Sequence, residues 1–289
     1  MPDNAPFRRV AVLGTGLIGG SFALAVREHF PQTQIIGWDR DRVALDRAVA
    51  RGAIQETTSD LTAAVRNADL VYIALPVSAI IKALPAVAGA ATAGALVTDA
   101  GSTKTLIGQA AREAFRAGAL FLGGHPMAGK ESSGVEHADA GLFRGAPYAL
   151  IAAEDTADDR VKKFAALVTA IGARPVWCDA ETHDWSVGIV SHLPQLLSIA
   201  LARVVQDETD ETGFPLSLAG QGLQDSLRLA GSSYATWRDI LIGNSQNVSR
   251  ALGRLSQAIE HLQRNLTSND LEAEFRAANE IYALLHNRK

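Results

Sequence analysis

Over roughly the first 180 residues, short runs of Val, Ile and Leu alternate with longer segments whose apolar residues recur at helical spacing. The runs are RRVAVLG from Arg8, QIIGWD from Gln34, LVYIAL from Leu70, ALVTDAG from Ala95, LFLGGHP from Leu120, YALIA from Tyr148 and RPVWCD from Arg174. Most are apolar throughout instead of at alternate positions, the pattern of strands covered by helices on both faces. Such an alternation predicts βαβ units in a doubly wound parallel sheet, with room for an antiparallel edge. After Asp179 the strand signals stop, and long helical patterns follow, broken near Gly213 and around Gly231 to Ala235. One of them, VGIVSHLPQLLSIALARVV, is too apolar for a surface helix with one covered face. It predicts an apolar partner, either the first domain or a second copy of the chain.

The first strand runs straight into GTGLIG, in which Gly14, Gly16 and Gly19 frame Leu17 and Ile18, and a helical run, SFALAVREHF, follows. In that context the first glycine permits a tight turn, the second lets the backbone approach a pyrophosphate, and the third packs helix on strand. The phosphate then rests at a helix N-terminus. The next strand ends in Asp39, twenty positions after Gly19, where a carboxylate accepts hydrogen bonds from adenosine ribose hydroxyls. An acid there repels a 2′-phosphate, so NAD is expected over NADP. Arg40 and Arg42 follow and keep NADP open. The expected architecture is α/β: a Rossmann-type doubly wound domain over residues 1–180, then an all-helical domain over residues 181–289.

Composition narrows the classes. The 289 residues are 47% hydrophobic with a formal net charge of -4, and the two signs are scattered, so no basic stripe suits a nucleic acid or an anionic membrane. The one cysteine, Cys178, cannot form an internal disulfide, and no Cys or His pair has zinc-ligand spacing. No metal is expected. The first nine residues carry no apolar signal core, which leaves a reducing cytoplasm as the expected compartment.

Three further segments fall at carboxyl ends of expected strands, where ligands bind in open α/β sheets. In ALPVS from Ala74, Pro76 shapes a wall near the nicotinamide ribose. In TDAGSTK from Thr98, Ser102 is expected to cap a helix starting near Lys104, and a cap hydroxyl can also serve a ligand. In GGHPMAGKESSG from Gly123, His125 lies between a glycine pair and a proline. It reads either as a loop residue or as the group that polarises a substrate hydroxyl while hydride leaves the same carbon. Farther on, His183 and His192 are nine residues apart, about 180° around an uninterrupted helix, so both face one site only if the helix breaks. Pro194 could kink it. His192 and Gln195 share a face at i, i+3, whereas His183 is as readily a structural residue beside Asp184.

Taken in order, GTGLIGGS, TDAGSTK, HPMAGKESSG, HDWSVGIVSHLP and RLAGSSYATWRDI resemble the prephenate and arogenate dehydrogenases of tyrosine biosynthesis, over nearly the whole chain. The resemblance implies an NAD(P)-dependent oxidative decarboxylation of a cyclohexadienyl substrate by a homodimer. It implies that His125 is the catalytic histidine, assisted by Ser102, and that Arg228 in LRLAG binds a substrate carboxylate through its planar fork. Without it, Arg228 reads as a surface charge paired with Asp225. Glu131 matches an acidic position that, with Asp225, gates that arginine. Many prephenate-using members read SHLPH where this chain has Gln195, which points to arogenate or to dual use. The chain ends at Lys289, soon after the last helical pattern, so tyrosine feedback would be expected at the active site itself. Two other readings stand beside this one: a β-hydroxyacid dehydrogenase or imine reductase of the same plan, and a non-catalytic NAD(H)-sensing protein.

Overall fold

The computed structural model describes residues 5–130, 132–151, 157–209 and 212–286. Its first part alternates β1 (Arg9–Leu13), α1 (Leu17–His29), β2 (Gln34–Trp38), α2 (Arg42–Ala50), β3 (Glu56–Thr58), α3 (Leu61–Val65), β4 (Leu70–Ile73), α4 (Val77–Ala90), β5 (Leu96–Asp99), α5 (Thr105–Ala114) and β6 (Leu120–Pro126). It continues with β7 (Pro147–Ile151), α6 (Asp159–Ala170) and β8 (Arg174–Cys178). The strands form one sheet in the order β3-β2-β1-β4-β5-β6-β7-β8. Neighbours are parallel except β6 and β7, so β7 and β8 run together against the rest.

All seven expected strands are present. The eighth, β3, reads ETT and carries no apolar run, which is why hydrophobic pattern misses it. The even burial along β4 has a direct cause: Leu70 and Tyr72 enter one apolar layer, Val71 and Ile73 the opposite one. On the first face Phe22 stacks on Tyr72 with ring centroids 3.7 Å apart, and on the other Ile80, Leu84 and Ile107 pack from α4 and α5. Burying side chains of this size contributes about 1.5–3 kcal/mol each before the entropy of ordering them is subtracted. These two layers hold the carboxyl ends of β1, β4, β5 and β6 at one rim of the sheet.

The second part is helical: α7 (Ala180–Val187), a π-helical turn (Gly188–His192), α8 (Leu193–Asp207), α9 (Phe214–Ser217), α10 (Gln221–Leu227), a 3₁₀ turn (Arg228–Gly231), α11 (Tyr234–Gly243), α12 (Ser245–Arg264) and α13 (Leu271–His286). From Ala180 to Asp207 the chain is one helical stretch of 28 residues, long and apolar enough by composition to cross a membrane. Its buried positions, however, include His183, Asp184, His192, Gln195 and Ser198, which turn polar groups towards the rest of the protein. Large apolar residues stay exposed along α8 (Leu197, Ile199, Val204), α12 (Leu252, Ile259) and α13 (Phe275, Ile281, Leu285), and α13 buries no residue at all.

Candidate active site

The glycine turn is built from backbone. Gly14 has φ +93°, and a Cβ there would lie 2.3 Å from the carbonyl oxygen of Ala74 at the end of β4. A Cβ on Gly19 would lie 1.9 Å from the Gly14 oxygen, whereas one on Gly16 meets nothing within 4 Å. The turn is thus closed on the protein side and open on the other. At the start of α1 no side chain caps the helix and no acid occupies the first turn, so its N–H groups remain available to an anion. Asp39 is locked to this turn: one carboxylate oxygen accepts from the Thr15 N–H (2.8 Å) and the other from the Asp41 N–H (3.0 Å). Arg40 is exposed, and Arg42 pairs with Asp46 at 3.3 Å. Pro76 stands exposed at the start of α4.

The opposite side of the cleft is built from side chains. His125, at the end of β6, is buried, and its Nδ1 lies 2.9 Å from Nε2 of His183. Nδ1 of His183 lies 2.8 Å from Oδ1 of Asp184. The Asp184 carboxylate also accepts from the backbone N–H groups of Lys104 (2.7 Å) and Thr105 (2.9 Å). Burial pushes this carboxyl up, but the hydrogen bonds from His183, Thr105 and Lys104 outweigh it and hold the group below its ordinary range. A carboxylate can only accept, which assigns every tautomer outward from it. His183 donates from Nδ1 and accepts at Nε2; His125 donates from Nδ1; Nε2 of His125 is left as an unprotonated acceptor.

Burial is the main force keeping His125 neutral and drives its pKa well below 6.5, with His183, Lys104 and His192 pushing the same way. The strand end beneath it is fixed by Lys104, whose buried ammonium donates to Asp99 and to the Gly124 carbonyl (2.6 Å).

Ser102 does not cap the following helix, contrary to expectation. No side chain local to α5 does so; Asp184 supplies the acceptors from about 80 positions away. The Ser102 hydroxyl, partly exposed, is therefore not spent on the helix. His183 and His192 are both buried. The break that reconciles them is the π turn, where Leu193 N–H bonds back to Gly188 and the extra residue rotates one histidine towards the other's side. Pro194 follows directly and lacks the N–H that an α-helix would give to Val190. Nδ1 of His192 faces the amide of Asn244 (3.2 Å), its ring meets Trp237 edge-on at 5.7 Å, and burial lowers its pKa to about 4.

Gln195 is buried on α8. Its amide nitrogen donates to the Leu229 carbonyl (2.8 Å), and its Oε1 has no partner among the described residues. Ser198 adds two bonds to the same segment, donating to Ser226 and accepting from Ala230. Together they pin the turn that begins with the exposed Arg228 onto the helix carrying His192. Asp225 accepts from Gln221 at 2.7 Å, and Glu131 lies outside the described residues. Sequence reasoning did not assign roles to Asp184, Asn244 or Lys104. The only local trace was the adjacency of His183 and Asp184.

Comparison with known proteins places both parts of the chain in one family. Residues 22–177 match the nucleotide-binding domain of prephenate dehydrogenase and residues 179–279 its dimerization domain. The prephenate dehydrogenase of Bacillus subtilis is 33% identical over 270 residues, covering 92% of this chain and 72% of that one. Among solved structures, Aquifex aeolicus prephenate dehydrogenase, in complex with hydroxyphenyl propionate and NAD+, superposes with a TM-score of 0.86 at 27% identity over 98% of both chains. Synechocystis arogenate dehydrogenase gives 0.79 at 26% identity, over 97% of this chain and 100% of that one. With both of its parts matched in order, the chain belongs to the prephenate dehydrogenase family, NAD(P)-dependent dehydrogenases of tyrosine biosynthesis.

Proposed function

We propose that this protein is a cytoplasmic homodimer that uses NAD to decarboxylate arogenate oxidatively to tyrosine, with prephenate the poorer substrate. The observation that carries the chemistry is the His125–His183–Asp184 relay, which leaves one unprotonated imidazole nitrogen at the cleft. The backbone cradle from Gly14 to Gly19 fits a pyrophosphate, since only Gly16 faces open space, and Asp39 fits an unphosphorylated ribose. Bound there, the nicotinamide supplies the hydride acceptor. Pro76 walls its ribose.

His125 Nε2 accepts a hydrogen bond from the ring hydroxyl of the substrate, drawing electron density onto that oxygen as hydride leaves the same carbon. The ring carboxylate departs as carbon dioxide, its bonding pair completes the aromatic ring, and the hydroxyl proton ends on the phenol. No net proton is consumed. Ser102 assists at the hydroxyl, and Arg228, with Glu131 and Asp225 around it, receives a substrate carboxylate. His192 and Gln195 face the substrate side chain.

Substrate choice rests on Gln195. One N–H of its amide is given to Leu229, and its buried Oε1 has no partner among the described residues, so the group most in need of a partner is an acceptor. The ammonium of arogenate can donate there; the ketone of prephenate cannot. Leaving such an acceptor unpaired costs about 1–3 kcal/mol, worth roughly tenfold or more in preference. Measuring kcat/KM for NADH formation with both substrates is expected to favour arogenate by that margin, and Gln195→His to shrink it. A native preference for prephenate would refute this assignment. Dimerisation rests on the exposed apolar faces of α8, α12 and α13, which need a cover of about 2,000 Å² or more if the interface is obligate. Sedimentation at micromolar concentration is expected to give the dimer.

A further inference from the structure

Helix α4 begins at the corner Ala74–Pro76, and like every helix it opens with N–H groups that have no partner in the helix. Its N-cap, Pro76, offers no side-chain acceptor. The acceptor comes from the other domain. Oδ2 of Asp239, on α11, takes the Ser78 backbone N–H at 3.2 Å and the Ser78 hydroxyl as well, across 161 positions of sequence. The Asp239 side chain is 13% exposed, and its other oxygen accepts from Arg238 (3.3 Å). Hydrogen bonds from Ser78, working against a smaller cost of burial, hold this carboxyl below its ordinary range.

The two ends of this contact are both at the cleft. The Ala74 carbonyl is the atom that a Cβ on Gly14 would strike, so the corner braces the cofactor turn directly. In a doubly wound sheet, the strand ends on this side of the first strand face the nicotinamide half of the dinucleotide, and those on the β2 side face the adenosine half. On the helical side, Trp237 lies two residues before Asp239 and touches His192, and Asn244, just after α11, holds both His192 and the Asp184 carbonyl (2.6 Å). One short helix therefore bears on the nicotinamide wall and on the substrate histidines together. The device parallels Asp184 on α5, where a carboxylate of the helical domain also caps a helix of the nucleotide domain.

We propose that Asp239 is a positioning residue that, by capping α4 across the domain junction, sets the nicotinamide-side wall at Ala74–Pro76 relative to His192 and Trp237. This rests on the cofactor reading above. The residue acts on placement of the nicotinamide half alone, which separates it from a residue that merely holds the domains together.

The test is binding of NAD and of ADP-ribose, which lacks the nicotinamide, alongside steady-state kinetics for the unmodified protein, Asp239→Ala, Asp239→Asn and Ser78→Ala. Asp239→Ala is expected to lower kcat about tenfold and to weaken NAD several-fold, while ADP-ribose affinity stays within about twofold. Asp239→Asn retains a carbonyl oxygen for both Ser78 donors and should recover most of the loss. Ser78→Ala deletes only the hydroxyl bond; it should give the same split at smaller size, and it carries the test if the alanine variant does not fold. A parallel fall in NAD and ADP-ribose affinity, or kinetics equal to those of the unmodified protein, would overturn the proposal while leaving the cofactor reading intact. An unmodified protein that binds neither ligand would overturn the cofactor reading, and the proposal with it.

Discussion

The two walls of the cleft are made of different materials. On the cofactor side, the contacts come mostly from main chain: the left-handed Gly14 against the Ala74 carbonyl, the close approach at Gly19, the open space at Gly16. On the substrate side they come from side chains brought together over long separations: His125 with His183, Asp184 with the start of α5, Asn244 with His192. At the glycine turn the first wall is preorganised by backbone geometry. The second depends on how two domains meet, and each member fixes the protonation or direction of the next. A substitution in the first wall should therefore change which dinucleotide is held. One in the second should change the rate and its pH dependence.

The largest effect should come from the end of the relay. His125→Asn keeps a polar side chain of similar reach but removes the acceptor nitrogen, and kcat should fall by about 10² to 10⁴ with cofactor affinity little altered. In the unmodified protein the rate requires neutral His125. Because its folded pKa is driven down, activity should persist below pH 6.5 and fall only at lower pH, as the ring takes a proton. A pH-rate profile checks both points: the variant should lose this limb. Near-native kcat in the variant would remove His125 from the chemistry.

The next effect lies two links back. Asp184 must accept at both oxygens, from Lys104 N–H and His183 on one and from Thr105 N–H on the other. An amide cannot do so, because one position becomes a donor facing a donor. Asp184→Asn should therefore lower kcat by about 10- to 100-fold without touching the glycine turn. The measurement is kcat beside the dissociation constant for NAD. Equal losses in both would mean that the two walls are not separable.

The same contrast explains what could be read from sequence. The seven apolar strands, the glycine turn and Asp39 are local patterns, and hydrophobic period or glycine spacing exposes them. Strand β3 escapes because Glu56, Thr57 and Thr58 carry no apolar signal, and it pairs only through its backbone with β2. The π turn escapes because a template of 3.6 residues per turn cannot register an inserted residue; the sequence shows that His183 and His192 need a break in the helix to share a site, but not what kind of break. The Ser102 cap was the natural local choice, and a tertiary contact displaced it: Asp184 offers two carboxylate oxygens where the serine offers one hydroxyl. Asp239 and Asn244 are ordinary helix residues in the sequence. Their roles exist only once the domains are packed.

The smallest effect tests the cofactor wall itself. Asp39 has one oxygen on the N–H and hydroxyl of Thr15 and the other on the Asp41 N–H, which orients the carboxylate while leaving the second oxygen a further lone pair for a ribose hydroxyl. Its charge opposes a 2′-phosphate. Arg40 is the nearest exposed cation in the sequence, and Arg42 is drawn to Asp46. Asp39→Ser removes the repulsion and one charge-assisted hydrogen bond, worth about 1.5–3 kcal/mol at most, so kcat/KM with NAD should fall by about tenfold. The value with NADP should rise or hold, and the ratio of the two should narrow. Because the serine reaches the turn with a single oxygen, part of the loss with NAD will reflect a looser Thr15 contact; the ratio cancels that part, since both cofactors use the same turn. The acid limb set by His125 should stay where it is, at the far wall. A native ratio already favouring NADP would show that Arg40, not Asp39, governs the choice, and a shifted acid limb in Asp39→Ser would show that the two walls communicate.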